Sequence, residues 1–210
     1  MCLLKIFIQY IFKIIKESQE GVRNILGTKI SSPSGDVIYT PPEGVDLLMR
    51  LLGNLEHYIH DDDDDVDPLI KMAVLHYQFE AIHPFSDGNG RTGRILNILY
   101  LLQEKLLDVP VLFLSNYIIR HKSDYYKGLK HVTENQDWEN WVLYMLKAVE
   151  VTSYETINRI DAIREAMQIY QDEMQEKLPN IYSKELLEIL FEQPYCTIQS
   201  LVDRDIAKRQ

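Results

Sequence analysis

The chain has 210 residues, 46% hydrophobic and 26% charged, which suits one substantial core in a soluble globular protein. Its formal net charge of −10 excludes a general nucleic-acid binder, because neutralising phosphates needs clustered lysine and arginine. The two cysteines, Cys2 and Cys196, stand near opposite ends and define neither a disulfide framework nor a metal-ligand spacing, so a reducing, cytoplasmic setting is expected.

The chain opens with MCLLKIFIQYIFKIIK, an apolar run in which Lys5, Gln9, Lys13 and Lys16 recur at helical spacing. A spanning helix needs about 20 mostly apolar residues, and no small-residue cleavage site follows. The run predicts an amphipathic helix over 1–20, buried apart from one wet stripe, rather than a membrane anchor. Residues 28–31 and 37–40 are β-prone around the turn-forming Ser32-Pro33-Ser34-Gly35-Asp36, which predicts a hairpin. A two-stranded hairpin is marginal alone and must lean on the rest of the fold.

Val45, Leu48, Met49, Leu52, Leu55 and Ile59 mark a helix over 45–60. The acidic run Asp61–Asp65 follows as a solvated link; it lacks the spaced ligands and glycine of a calcium loop. Asp67-Pro68 predicts an N-cap with proline at the first helical position. The helix it opens has apolar residues at 69, 70, 73, 74, 77, 81 and 82. A further helix starts near Arg91, buried through Ile95, Leu96, Leu99, Leu102 and Leu106, and stopped by Pro110. More helices are expected at 111–120, 122–131, 136–152 and 155–177, and Pro179-Asn180 breaks the pattern. No βαβ alternation occurs, so the chain is mainly α. The tail, with Thr197 as an N-cap, begins like a winged helix-turn-helix but stops before a recognition helix and wing. A helical hairpin packed on the core fits it equally well.

The chemistry concentrates in HPFSDGNGRTGR, residues 83–94. Gly88–Gly93 matches G-x-G-x-x-G, with Asp108 twenty residues on, but the fingerprint requires a preceding strand, and a helical pattern precedes it here. A loop entering a helix N-terminus offers successive N–H groups and a positive helix end to an anion. Gly88 and Gly90 would bare that backbone and make unusual φ values cheap. Arg91 and Arg94, three apart, share one helical face and suit a polyphosphate. Asp87 is an oxygen ligand placed for Mg²⁺. His83 can accept a proton near neutral pH.

His83, Phe85, Asp87, Gly88, Asn89, Gly90, Arg91 and Arg94 together spell H-P-F-x-D-G-N-G-R-x-G-R, which resembles the signature of the Fic family. The resemblance runs from about residue 20 to 165 and includes GTKISSPSGDVIYTPP, similar to the family's flap hairpin, and LSNYIIRHKSDYYKGL, similar to its downstream helix pair. It implies a Fic-type helical bundle with a β-hairpin flap over 21–178, followed by a partial winged-helix-like tail over 179–210. It implies transfer of AMP from ATP to a Ser, Thr or Tyr hydroxyl of a target protein, or of the chain itself, with release of pyrophosphate. By the same resemblance His83 is the base, Asp87 holds Mg²⁺, and Gly88, Asn89 and Gly90 form the anion hole. Arg91 and Arg94 hold the distal phosphates, and Phe85 is structural. Asn116 and Tyr117 are candidates for the adenine side. Glu80 either meets the nucleotide or packs.

The target would add a strand along the 28–40 hairpin. Homo-oligomers are compatible with the resemblance, no membrane partner is expected, and DNA would need a complete C-terminal winged helix. Relatives are often restrained by a helix bearing Ser/Thr-x-x-x-Glu-Gly/Asn, whose Glu pairs with the residue that is Arg94 here. That spacing is absent, and Ser18-Gln19-Glu20-Gly21 is two residues too tight. Two other readings stand beside AMP transfer. A Fic-type phosphotransferase would be expected to carry lysine where Gly90 stands. A non-enzymatic nucleotide-sensing or DNA-binding regulator is disfavoured by the acidic composition.

Overall fold

The structure, a computed structural model, describes residues 21–31, 35, 37–61, 65–192, 195–204 and 206. The expected N-terminal helix over 1–20, the hairpin turn at 32–34 and 36, the acids at 62–64 and most of 205–210 lie outside the described residues. Among the described residues, two compact units divide at Ser153 and Tyr154.

In the first unit a hairpin joins β1 (Ile30–Ser31) to β2 (Val37–Tyr39). Ile30 pairs with Tyr39 and Ser31 with Val37, so the register slips within the pair. Helix α1 (Val45–Ile59) buries Leu48, Leu52, Leu55 and Ile59 of the predicted stripe, while Val45 at its start is exposed and Met49 half-buried. Helix α2 (Pro68–Ile82) is capped by Asp67, whose carboxylate accepts from the Leu69 N–H at 2.8 Å, with Pro68 in the first turn. It lies at the centre of the unit and buries residues on several sides, among them Met72, Leu75, Phe79 and Ile82. The expected apolar stripe therefore understates its burial, since Lys71, His76 and Glu80 are inside as well.

Helix α3 (Asn89–Gln103) packs most extensively on α2. Gly93 makes that approach possible: a Cβ there would stand 2.8 Å from Glu80 Oε1 and 3.0 Å from Phe79 Cδ1. Of the expected set only Leu96 is fully buried; the buried face of α3 runs through Leu96, Asn97, Tyr100 and Leu101, and Leu106 is exposed. The helix also ends before Pro110. Lys105 takes a left-handed conformation, and the Leu106 N–H bonds back to the Leu101 carbonyl at 2.9 Å, the six-to-one closure of a helix C-terminus.

Helix α4 (Leu114–Arg120), α5 (Lys122–Asn135) and the start of α6 (Trp138–Lys177) complete the unit. The Trp141 indole N–H donates to the Ala73 carbonyl at 2.8 Å, tying α6 to α2. A buried polar chain crosses the interior: Asn97 Nδ2 lies 3.0 Å from His76 Nδ1, and His76 Nε2 lies 3.0 Å from the Tyr125 hydroxyl. Burial lowers the His76 pKa to about 4, so the ring is neutral and Asn97 donates to it. The two helices expected over 136–152 and 155–177 are one. No glycine or proline interrupts the join, and Thr152 Oγ1 bonds the Ala148 carbonyl within the ladder.

The second unit begins within α6. Beyond Thr152 no residue of α6 is buried. The unit also holds α7 (Lys184–Glu192) and α8 (Ile198–Asp203); Thr197 caps α8 by accepting from the Ser200 N–H at 3.2 Å.

Candidate active site

The site is built where α2 stops. His83 follows Ile82 in a left-handed conformation, φ 48 and ψ 59, and Pro84 after it disfavours continuing the helix. Its Nδ1 is buried without a hydrogen-bond partner. Burial lowers the ring's pKa to about 4; the Glu80 carbonyl and Asp87 pull it up, and Arg23 pushes it down. The imidazole is therefore neutral at physiological pH.

The loop then closes on itself. Phe85 is fully buried and forms its floor. The Asn89 carboxamide grips Phe85 at two points, accepting from its N–H at 2.9 Å and donating to its carbonyl at 2.8 Å. The side chain of Asn89 is thus spent inside the loop, and what this residue presents to a ligand is its backbone N–H. Gly88 caps α3 in a left-handed conformation, φ 84, and its carbonyl accepts from both the N–H and the hydroxyl of Thr92 at 3.0 Å. The first N–H groups of α3 have no acceptor within the helix, which makes this end an anion seat.

Gly90 departs from expectation. Its φ is not positive; its missing Cβ makes room for Arg94, whose Nη1 would stand 3.1 Å from that atom. Arg94 is held by Ser115, whose hydroxyl accepts from Nε at 2.8 Å. Arg91 lies 3.9 Å from Asp87 Oδ2, and both are largely exposed, so the pair is weak and yields easily to a ligand. The Asp87 side chain is 67% exposed, with Oδ1 accepting from the Gly88 N–H at 2.5 Å.

Glu80 lies behind the loop between α2 and α3. It is 6% exposed, and its Oε1 has no hydrogen-bond partner. Burial raises its pKa to about 7, against an opposing pull from Arg94. The same residue lines a narrow cleft of about 10 Å³ with Ile30, Tyr39, Tyr77, Leu129 and Thr133. Asn116 follows Ser115 on α4, where its N–H donates to the Phe113 carbonyl at 3.0 Å. Tyr117 is 8% exposed and packed in an aromatic cluster, its ring 4.2 Å from His121 and 5.6 Å from Tyr144.

His83, Asp87, the first turn of α3, Arg91 and Arg94 are thus brought together, with Glu80 beneath. Among the described residues no group of three or more His, Cys, Asp or Glu side chains converges as a metal site would require. Residues 5–101 match the family model for the Fic/DOC family, and residues 166–210 match that for the C-terminal domain of SoFic-like protein adenylyltransferases.

Residues 5–101 carry a Fic/DOC-family domain.

Among curated relatives, the protein adenylyltransferase fic-1 of Caenorhabditis elegans is 30% identical over 112 residues, 53% of this chain and 21% of the relative. A probable protein adenylyltransferase of Aquifex aeolicus (strain VF5) is 32% identical over 123 residues, 59% of this chain and 32% of that one. The matches therefore span about a fifth to a third of these relatives' length. The crystal structure of a Fic family protein from Desulfovibrio desulfuricans G20 aligns with a TM-score of 0.56 at 24% identity. It covers 72% of this chain and 46% of that chain, a likeness of fold.

Three features of this Fic/DOC site are not evident in the motif. Arg23 donates to the His83 carbonyl at 2.7 Å. Ser115 anchors Arg94. The cleft unites Ile30 and Tyr39 of the hairpin with Leu129 and Thr133 of α5. Each joins segments far apart in sequence; the nearest signal was Ser115, adjacent to the Asn116-Tyr117 pair singled out above. Among the described residues no helix is long and apolar enough to cross a membrane.

Proposed function

We propose that the chain is a Mg²⁺-dependent protein adenylyltransferase, moving AMP from ATP to a Ser, Thr or Tyr hydroxyl of a target protein or of itself. The observation that carries this reading is the pair of left-handed residues, His83 and Gly88, that turn the chain from a neutral, largely buried imidazole into the bare first turn of α3. Such a loop offers a proton acceptor and an anion seat within a few residues of each other. Phosphoryl chemistry needs little more than that positioning and charge stabilisation.

In this reading His83 takes the acceptor hydroxyl's proton on the ring nitrogen opposite the buried Nδ1. The acceptor oxygen bonds to the α-phosphorus as the bond to the β-phosphate bridging oxygen breaks, and pyrophosphate leaves. The N–H groups of Asn89 and Gly90, with the positive end of α3, stabilise the charge on the α-phosphate. Arg91 and Arg94 hold the departing phosphates. Phe85 and the Asn89 carboxamide keep the loop rigid. Asp87 fits Mg²⁺, since this ion is commonly held by one or two carboxylates plus substrate phosphates, and Asp87 offers an exposed carboxylate at the lip of the seat. When bound, the ion would offset phosphate charge.

The cleft of Ile30, Tyr39 and Leu129, with the Tyr77–Thr133 hydroxyl pair at 2.9 Å, supports a seat for the base there in preference to Tyr117. At about 10 Å³ it is too closed for a base, so nucleotide entry would lift the hairpin. Glu80 lines the same cleft and suits a ribose contact. The hairpin offers the target a strand edge. Gly90 in place of a lysine weighs against phosphate transfer, and the net charge of −10 weighs against DNA. Intact mass after incubation with ATP, Mg²⁺ and candidate target lysate tests the reading: one adenylyl mass is gained by the wild type and none by His83→Ala. Equal gain by both proteins would overturn it.

A further inference from the structure

Arg23 is a buried arginine outside the motif, 4% exposed. Its donors go to both ends of the hairpin and to the end of α2. Nη1 reaches Thr28 Oγ1 at 3.4 Å, ahead of β1, and Nη2 donates to the Pro42 carbonyl at 2.6 Å, beyond β2. Nε donates to the His83 carbonyl at 2.7 Å, and Nη2 also approaches the Ile82 carbonyl at 3.5 Å. The backbone N–H of Arg23 donates to the Pro84 carbonyl at 2.8 Å.

Burial pushes the Arg23 pKa down, with Glu43 opposing. Glu43 is itself engaged, accepting from the Gly27 N–H at 2.6 Å. So the guanidinium works mainly as a rigid fork for carbonyls rather than as half of an ion pair. Two of those carbonyls belong to the last turn of α2, where intrahelical donors run out and the helix dipole favours a cation. The third spans to the hairpin. His83 needs such a clamp because a left-handed non-glycine residue is strained and persists only when its surroundings hold it.

We propose that Arg23 is a positioning residue that locks the backbone of His83 and couples it to the hairpin on which the target docks. This rests on the adenylyl-transfer reading. One planar group grips Thr28, Pro42 and His83, so a shift of the hairpin on target binding is passed to the base through a stiff connector. Lysine keeps the charge and the stem but cannot reproduce the fork.

The test compares wild type, Arg23→Gln and Arg23→Lys as full chains, Arg23→Lys being the milder change for folding. Self-labelling is followed with α-³²P-ATP and Mg²⁺ across ATP concentrations. We expect the saturated rate to fall by about 10- to 100-fold, the scale of a misplaced catalytic group. The half-saturating ATP concentration should stay within about threefold, because the contacts of Arg23 end at Pro84, before the anion seat. A saturated rate within about twofold of wild type, or a loss carried by ATP half-saturation, would overturn the proposal.

Amide hydrogen exchange without nucleotide is the second readout. Hairpin and loop amides (residues 28–31, 37–40, 83 and 85–88) should lose protection together in Arg23→Gln or, if that variant does not fold, in Arg23→Lys. Loss confined to the hairpin would overturn the coupling. Absence of label from wild type on itself and on a target lysate alike would contradict the adenylyl reading instead and leave Arg23 to be judged by exchange.

Discussion

The Asn89 carboxamide holds Phe85 by both of its main-chain polar groups, 2.9 Å from N and 2.8 Å from O, in a site where both residues are buried. Removing that clasp takes away two buried hydrogen bonds, each worth about 0.5–1.5 kcal/mol. We expect Asn89→Ala to lower unfolding stability by about 1–3 kcal/mol on that basis. ATP affinity should fall with it because the loop loses its shape. Denaturation midpoint and ATP titration measure the two. A stable variant with weakened ATP binding would instead mean that the side chain serves the ligand directly.

Two helical glycines separate packing from propensity. A Cβ at Gly93 meets Glu80, Phe79 and His76 within 3.4 Å, whereas a Cβ at Gly53 meets nothing within 4 Å. Gly93→Ala should destabilise by about 1–3 kcal/mol through overpacking. Gly53→Ala should stabilise by up to about 1 kcal/mol, the helix preference for alanine. Urea unfolding of both variants checks the opposite signs.

The pH dependence of stability carries the signature of Glu80. Its carboxyl is raised to about 7 from an ordinary 4.5 by burial. The folded chain keeps a proton that the unfolded chain releases, so this contribution is complete below pH 4.5 and is lost as pH rises through about 7. His76, lowered to about 4, contributes in the opposite sense: its share is lost as pH falls from 6.5 through 4. We expect Glu80→Gln to flatten only the first of these. The wild-type-minus-variant unfolding free energy should drop by at most about 3 kcal/mol between pH 4.5 and 7. Chemical denaturation at stepped pH measures it, and a constant difference would contradict a carboxyl held neutral by burial.

Arg94 and Ser115 should act in series. Arg94→Ala removes a charge-assisted phosphate contact and should weaken ATP binding by about 10- to 100-fold. Ser115→Ala leaves the guanidinium in place but unanchored, so a loss of about threefold is expected. Calorimetric titration distinguishes them. Unchanged affinity in Arg94→Ala would remove it from the phosphate site.

Much of this was legible in the sequence because it is local. Asp67-Pro68 capping α2, the stripe of α1 and the glycine that opens α3 are each written within a few residues. The motif likewise exposed the chemical inventory, since His83, Asp87 and the two arginines lie within twelve positions. Contacts made across the fold were not legible. Arg23 is sixty residues from His83, and nothing in its neighbourhood marks it as buried. The clasp of Asn89 was hidden because the same amide could as easily have faced a phosphate. Gly90 was read for its backbone, but its role depends on where Arg94 folds. The rotated face of α3 was a tertiary outcome, set by Gly93 drawing α3 against α2.

The central claim is adenylyl transfer dependent on His83, and the most direct measurement is the origin of the label. Wild type and His83→Ala are incubated with Mg²⁺ and either α-³²P-ATP or γ-³²P-ATP, alone and with a target lysate. Label should reach protein from the α-phosphate with wild type and be lost with His83→Ala. Label arriving only from the γ-phosphate, or α-label undiminished in His83→Ala, would contradict the claim.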